Sequence, residues 1–226
     1  MKFPTCLLIL TLLTGCSVDE ADVHHVSHAP IVLDDRVVVL IGDSIAEGHP
    51  VLHSSLHGGG TNKEGQISFE VQQLIGSQVL NMGIGGNTTS QIKERWERDV
   101  SSKKPDLIII HAGVNDVFSM QESVTIRNID YFIDYAISNG VKVVISNIGP
   151  DLQHNDESIR KSKVINSHIK DLSDIYEEVQ MSDYLGWATE YTYDFKHLKK
   201  GCFADSVHPN KKGYKEYSLI ISSHIN

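Results

Sequence analysis

The sequence predicts an α/β domain built on a mainly parallel, doubly wound sheet, and three observations point to that class. Apolar runs without alternation recur at residues 36–41, 78–82, 106–111 and 141–145, with a weaker one at 179–184. Runs of β-branched and aliphatic residues of this kind suit strands buried on both faces. Helical patterns fill the gaps between them, and strands that alternate with helices imply right-handed crossovers, which stack helices on both sides of a parallel sheet.

Taken in order, residues 68–75 show apolar positions at helical spacing, and a helix over 88–100 is expected to follow Asn87 as its N-cap. Over 123–138, Ile126, Ile129, Phe132, Ile133 and Ala136 share one face, and Gly140 supplies the stop. A further helix is expected over 157–172. The last begins after Pro209-Asn210 and is expected to carry Tyr214, Tyr217, Leu219, Ile220 and Ile221 into the core. At 226 residues the chain suits one such domain, with no internal repeat.

The net charge of −9 and the lack of a basic stripe exclude a nucleic-acid partner. At the N-terminus, Lys2 precedes an apolar run over 7–13, too short to span a bilayer but the length of a signal-peptide core. Leu13-Thr14-Gly15-Cys16 then resembles the lipobox of bacterial lipoproteins, in which cleavage leaves the cysteine as a diacylated N-terminus. That resemblance implies a signal peptide over 1–15 and a lipidated tether over 16–34, which leaves the α/β domain over 35–226. The chain would then be held by lipid to a membrane of the bacterial cell envelope, facing outside the cytoplasm. An ordinary signal peptide with an incidental Cys16 is the plainer reading. With Cys6 removed and Cys16 lipidated, Cys202 has no intrachain partner and reads as a small buried hydrophobe. His24, His25 and His28 have no cysteine or carboxylate at ligand spacing and read as a solvated cluster.

The chemistry is expected just past the carboxyl ends of the strands. Ser44 stands there, in Gly42-Asp43-Ser44, between glycines that permit a tight exit from the strand. A nucleophilic serine needs a base, a group that orients the base, and donors for a developing oxyanion. In Asp205-Ser206-Val207-His208-Pro209-Asn210, an aspartate three residues before a histidine can meet its Nδ1 while Nε2 points at Ser44. Taken alone, the same stretch reads equally as a helix N-cap made by Asp205 or Asn210, with His208 exposed. Donors are offered by the loop after the second run, where Gly86 is the best placed, by the Asn115 amide in Gly113-Val114-Asn115-Asp116, and by the Ser44 N–H.

Gly42-Asp43-Ser44, then Gly86 in its Asn-x-Gly-x-x-Gly setting, then Gly113-Val114-Asn115-Asp116, then Asp205-Ser206-Val207-His208 resembles the four sequence blocks of the SGNH (GDSL-type) hydrolase family. The resemblance implies a three-layer α/β/α sandwich, flavodoxin-like, with a five-stranded sheet. It implies Ser44, Asp205 and His208 as catalytic triad, and Ser44, Gly86 and Asn115 as oxyanion hole. It further implies a serine esterase working through an acyl-enzyme, with no metal or cofactor, on an acetylated glycan, a lysophospholipid or a small ester. Acyl transfer to another acceptor, or an idle cell-surface binding lipoprotein, are the alternatives. Ile45 stands where the family's name has leucine, and Ala46 where a hydroxyl residue is common.

Other motifs are weaker. His57-Gly58-Gly59-Gly60 resembles a lipase oxyanion motif, but the chain lacks the Gly-x-Ser-x-Gly elbow that belongs with it. Residues 50–64 read as a flexible loop near the site. In Gly83-x-Gly85-Gly86, Thr88 occupies the place of a dinucleotide fingerprint's third glycine. His111 reads as a core or rim histidine. Trp187, Tyr191, Tyr193, Phe195 and Phe203 are candidates for an acyl pocket or a sugar platform, half of them plausible as core.

Overall fold

The computed structural model describes residues 35–50 and 62–225. The expectations for 1–34, including Cys16 and the His24, His25, His28 cluster, and for His57-Gly58-Gly59-Gly60, lie outside the described residues.

The apolar runs become β1 (Val37–Gly42), β2 (Gln78–Gly83), β3 (Leu107–His111), β4 (Lys142–Ser146) and β5 (Val179–Ser182). They form one sheet in the order β2-β1-β3-β4-β5, with every neighbouring pair parallel. Because the runs do not alternate, each strand feeds both faces. Val39, Ile41, Ile108, Ile110, Val143 and Ile145 turn one way, and Val38, Leu40, Ile109 and Val144 the other.

The first face is covered by α3 (Thr89–Glu94), α4 (Trp96–Asp99), α6 (Glu122–Asn139) and α7 (Asp156–Ile175), through Ile92, Trp96, Phe132 and Ile165. The second is covered by α2 (Ile67–Ile75), α8 (Tyr184–Ala188) and α9 (Lys211–Ser223), through Val71, Trp187, Tyr214 and Tyr217. The result is a three-layer α/β/α sandwich. Two further single turns, α1 (Ser44–Glu47) and α5 (Asp116–Ser119), follow β1 and β3 directly.

Local expectations needed two corrections, and one open choice was decided. The helix over 88–100 is broken at Arg95 into α3 and α4, and its N-cap is Thr88, whose hydroxyl accepts from the Gln91 N–H in a capping box; Asn87 does not cap it. Leu219 is 54% exposed, because Tyr214, Tyr217 and Ile221 already fill the buried stripe of α9 and Leu219 projects away from it. Trp187 and Phe195 are core, and Tyr191 and Tyr193 are exposed. Gly140 does end α6, at φ 67°.

Register decides where the site forms. Gly42 on β1 pairs with Gly83 on β2 and with His111 on β3, so the three strands end at one level. The loops carrying Ser44, Gly86 and Asn115 therefore leave the sheet side by side.

Candidate active site

The turn after β1 has no room to spare. A Cβ on Gly42 would lie 1.9 Å from the His111 carbonyl oxygen. The Asp43 N–H donates to that same oxygen at 3.2 Å, and the buried Asp43 carboxylate accepts from the Ile45 N–H at 2.9 Å, capping α1. Gly48, at φ 100°, closes the turn. Ser44 is thereby held as the first residue of α1.

Ser44 Oγ lies 2.8 Å from His208 Nε2, across 164 residues of chain. On the other side of the ring, His208 Nδ1 lies 2.8 Å from Asp205 Oδ2 and 3.1 Å from Oδ1. The Asp205 carboxylate also accepts from the Val207 and His208 N–H groups at 3.0 and 2.8 Å. Burial pushes that carboxyl up, but the two amides and the His208 ring outweigh it and hold it below the ordinary carboxylate value. Both readings of the 205–210 stretch meet here. Asn210 is the N-cap, accepting from the Gly213 N–H at 3.0 Å, which leaves Asp205 to the imidazole.

Gly86 adopts φ 78°, and a Cβ there would meet nothing within 4 Å, so the left-handed conformation and not crowding is what suits glycine. Neighbouring Gly85 is a close approach: a Cβ would stand 2.7 Å from Glu47 Oε2 and 3.7 Å from Ser44 Cβ. The Asn115 side-chain amide donates to the Asn87 carbonyl at 3.1 Å. Neither the Ser44 nor the Gly86 N–H has an acceptor among the described residues. An alcohol bonded to an imidazole, with unspent N–H donors beside it, can carry out acyl transfer.

Two residues that bind this loop cluster together were not assigned from sequence. Arg95, buried in the break between α3 and α4, donates to the carbonyls of Gly42 (2.9 Å) and Met82 (2.7 Å) and to Asn87 Oδ1 (2.9 Å). Asp99, itself paired with Arg98, balances its charge at 2.8 Å. Asp116, fully buried, accepts from the Thr89 N–H and hydroxyl and from the Thr125 hydroxyl, which ties the Asn115 loop to the start of α3. A signal was present for the first of these. Ile92, Arg95, Trp96 and Asp99 fall at i, i+3, i+4 and i+7, so two charges share the buried stripe of a helix.

The family model of the GDSL-like Lipase/Acylhydrolase family matches residues 40–216, which takes in all four loops. The chain belongs to that family. Among curated relatives, an acetylxylan esterase of Geobacillus stearothermophilus is 33% identical over 106 residues, covering 43% of this chain and 47% of the esterase. The uncharacterized lipoprotein YqeF of Bacillus subtilis (strain 168) is 31% identical over 84 residues, 34% of this chain and 35% of that protein. The chain thus aligns with less than half the length of either relative. The crystal structure of a GDSL-like lipase from Bacteroides thetaiotaomicron superposes with a TM-score of 0.66, at 24% identity, over 84% of this chain and 87% of that one, and so shares the fold.

In this GDSL-like family member the two ends of the serine–imidazole line open into a cleft of about 390 Å³. Its described lining includes Ser44, Gly86, Asn115 and His208, with Glu47 and Asp151 as the charged groups and no lysine or arginine. None of the five aromatic residues at 187–203 lines it, because they pack on or beyond α8; Tyr193 and Phe195 border a separate groove of about 590 Å³. His111 is a core residue, its ring edge-on to Tyr184, and burial lowers its pKa to about 3. Among the described residues no helix is long and apolar enough to cross a membrane.

Proposed function

We propose that the chain is a serine esterase that removes short acyl groups, acetyl foremost, from a neutral glycan. Ser44 is the nucleophile, His208 the general base and Asp205 its orienting partner. The Ser44 and Gly86 N–H groups and the Asn115 amide form the oxyanion hole. The observation that carries this reading is the 2.8 Å contact between Ser44 Oγ and His208 Nε2, continued to Asp205 at 2.8 Å.

In this mechanism His208 Nε2 takes the Ser44 proton as Oγ attacks the ester carbonyl, and the electron pair displaced from the C=O bond comes to rest on oxygen among the three donors. Collapse of the intermediate breaks the bond to the sugar oxygen, which leaves with the proton from His208. Water then attacks the acyl-enzyme by the same route, releasing acetate and restoring Ser44.

The substrate class is argued from charge and size. Glu47 and Asp151 would oppose the phosphate of a lysophospholipid, and the 51–61 segment contributes no lysine or arginine to offset them. A cleft of about 390 Å³ is at the small end for ligand sites and suits a short acyl group with a sugar ring. The acetylxylan esterase relative supports the same choice. A series of p-nitrophenyl esters from acetyl to dodecanoyl, with acetylated xylo-oligosaccharide and a lysophospholipid alongside, tests it. Acetyl esters and the oligosaccharide should turn over fastest, and Ser44→Ala should abolish all turnover. A rate that climbs with chain length would overturn the substrate class, and turnover retained by Ser44→Ala the mechanism.

Lipidation of Cys16, with attachment outside the cytoplasm, completes this reading; its support is the 13–16 pattern and the lipoprotein name of the YqeF relative. Incorporation of labelled fatty acid, lost in Cys16→Ala, is the expected result.

A further inference from the structure

Beside the serine–imidazole–carboxylate line stands a second imidazole that the mechanism above does not use. The His49 ring meets the His208 ring edge-on, with centroids 4.5 Å apart and planes at 63°. Its backbone is anchored, since the hydroxyl of buried Tyr214 donates to the His49 carbonyl at 2.6 Å. One ligand atom from each of His49, Asp205 and His208 lies within 4.8 Å of the other two. In a tetrahedral zinc site with bonds of about 2.0–2.2 Å, donor atoms sit roughly 3.3–3.6 Å apart. Small side-chain rotations therefore suffice to close the three on one ion. Two imidazoles and a carboxylate are a donor set that suits zinc. The carboxylates of Glu47 and Asp151 in the same cleft add a field that favours a dication.

We propose that His49, Asp205 and His208 form an inhibitory site for a zinc-type divalent cation, which stops the esterase by capturing its own base. Ligation through His208 Nδ1 leaves the ring proton on Nε2, so that the ring donates toward Ser44 and cannot accept the serine proton. The proton transfer is thereby blocked, no covalent bond of the protein changes, and removal of the ion restores activity. The inhibition rests on the proposed roles of Ser44 and His208; the binding of the ion does not.

The test uses the full chain, with Zn²⁺ followed by equilibrium dialysis, Co²⁺ by the visible absorption of a tetrahedral site, and esterase rate in parallel against each protein's own metal-free rate. One ion should bind in the variant with His24, His25 and His28 all changed to Gln, with activity lost and then restored by a chelator. Introducing His49→Gln into that background should weaken both binding and inhibition at least tenfold, and Asp205→Asn should weaken binding alike. Zinc bound as tightly after His49→Gln, or not bound at all, overturns the site. Binding that depends on His49 but leaves an active esterase unaffected overturns the inhibitory role. If the ion binds through His49 but the metal-free chain hydrolyses no ester, the esterase reading fails and the cation site stands.

Discussion

Arg95 Nη2 donates to the carbonyl of Gly42 at 2.9 Å, so a buried cation from the helical layer that holds α3 and α4 fixes the last peptide of β1 just ahead of Ser44. Through Nε the same guanidinium holds Asn87, whose carbonyl accepts from Asn115. One side chain thus reaches the Ser44 turn directly and the Gly86 and Asn115 loops through its hydrogen bonds. Arg95→Gln strands part of the Asp99 charge and frees three acceptors, and we expect a loss of about 3–5 kcal/mol in stability. In the fraction that remains folded, kcat should fall more than KM rises, because the proposed oxyanion hole is disordered while the cleft walls stay. Urea melts and steady-state kinetics at low temperature measure the two separately.

Asn115→Ala removes a donor of the proposed oxyanion hole without touching the core. The expected effect is a fall in kcat of about 10²–10³, equivalent to about 2.7–4 kcal/mol, with KM little changed. Asn87→Ala, which keeps the backbone carbonyl that accepts from the Asn115 amide and removes only the Oδ1 acceptor of Arg95 Nε, should cost less than Asn115→Ala. Equal losses in the two would remove Asn115 from the hole.

Asp116→Ala should be a stability variant first. It leaves the Thr89 N–H and hydroxyl and the Thr125 hydroxyl without their buried acceptor. Each stranded buried donor costs about 1–3 kcal/mol. A thermal melt that shifts by less than a few degrees would show that the Asn115 loop does not depend on this anchor.

Two buried groups give stability opposite pH slopes. Burial raises the Asp43 carboxyl to about 7, with the Ile45 N–H opposing and the Asp116 charge adding, and burial lowers His111 to about 3. Folded Asp43 keeps a proton that the unfolded chain loses above about pH 4, so its contribution is lost as pH rises toward 7. Folded His111 stays neutral where the unfolded chain takes up a proton, so stability falls as pH drops below about 6.5. Each slope reaches about 1.4 kcal/mol per pH unit, and they cancel where they overlap. Asp43→Asn keeps a capping oxygen and should expose the His111 slope, with stability falling on acidification from pH 6 to 4.5. His111→Phe should expose the reverse. Denaturant midpoints across that range measure both.

The strands were legible because β-branched runs such as 36–41 and 106–111 admit few other structures, and the helix stop at Gly140 and the helix start at Asn210 because their chemistry is local. Leu219 was misplaced and the aromatic residues at 187–203 stayed open between core and pocket for a shared reason: apolar character says that a side chain can be buried, not which cavity or face receives it. The break at Arg95 went unread because its cause is non-local, three acceptors on β1, β2 and the Asn87 loop that outbid helix continuity.

By itself the sequence determined the sheet, its parallel sense and the short list of residues able to do acyl chemistry, since periodicity, turn residues and side-chain pKa classes are properties of the chain. Only the tertiary structure decided that Ser44 and His208 meet, that Arg95 and Asp116 bind the loops around them, and that His49 stands beside the pair. Those relationships depend on parallel register bringing three strand ends level and on α9 returning the 205–208 loop to them, and distances of that kind are set by packing between layers, which no local pattern records.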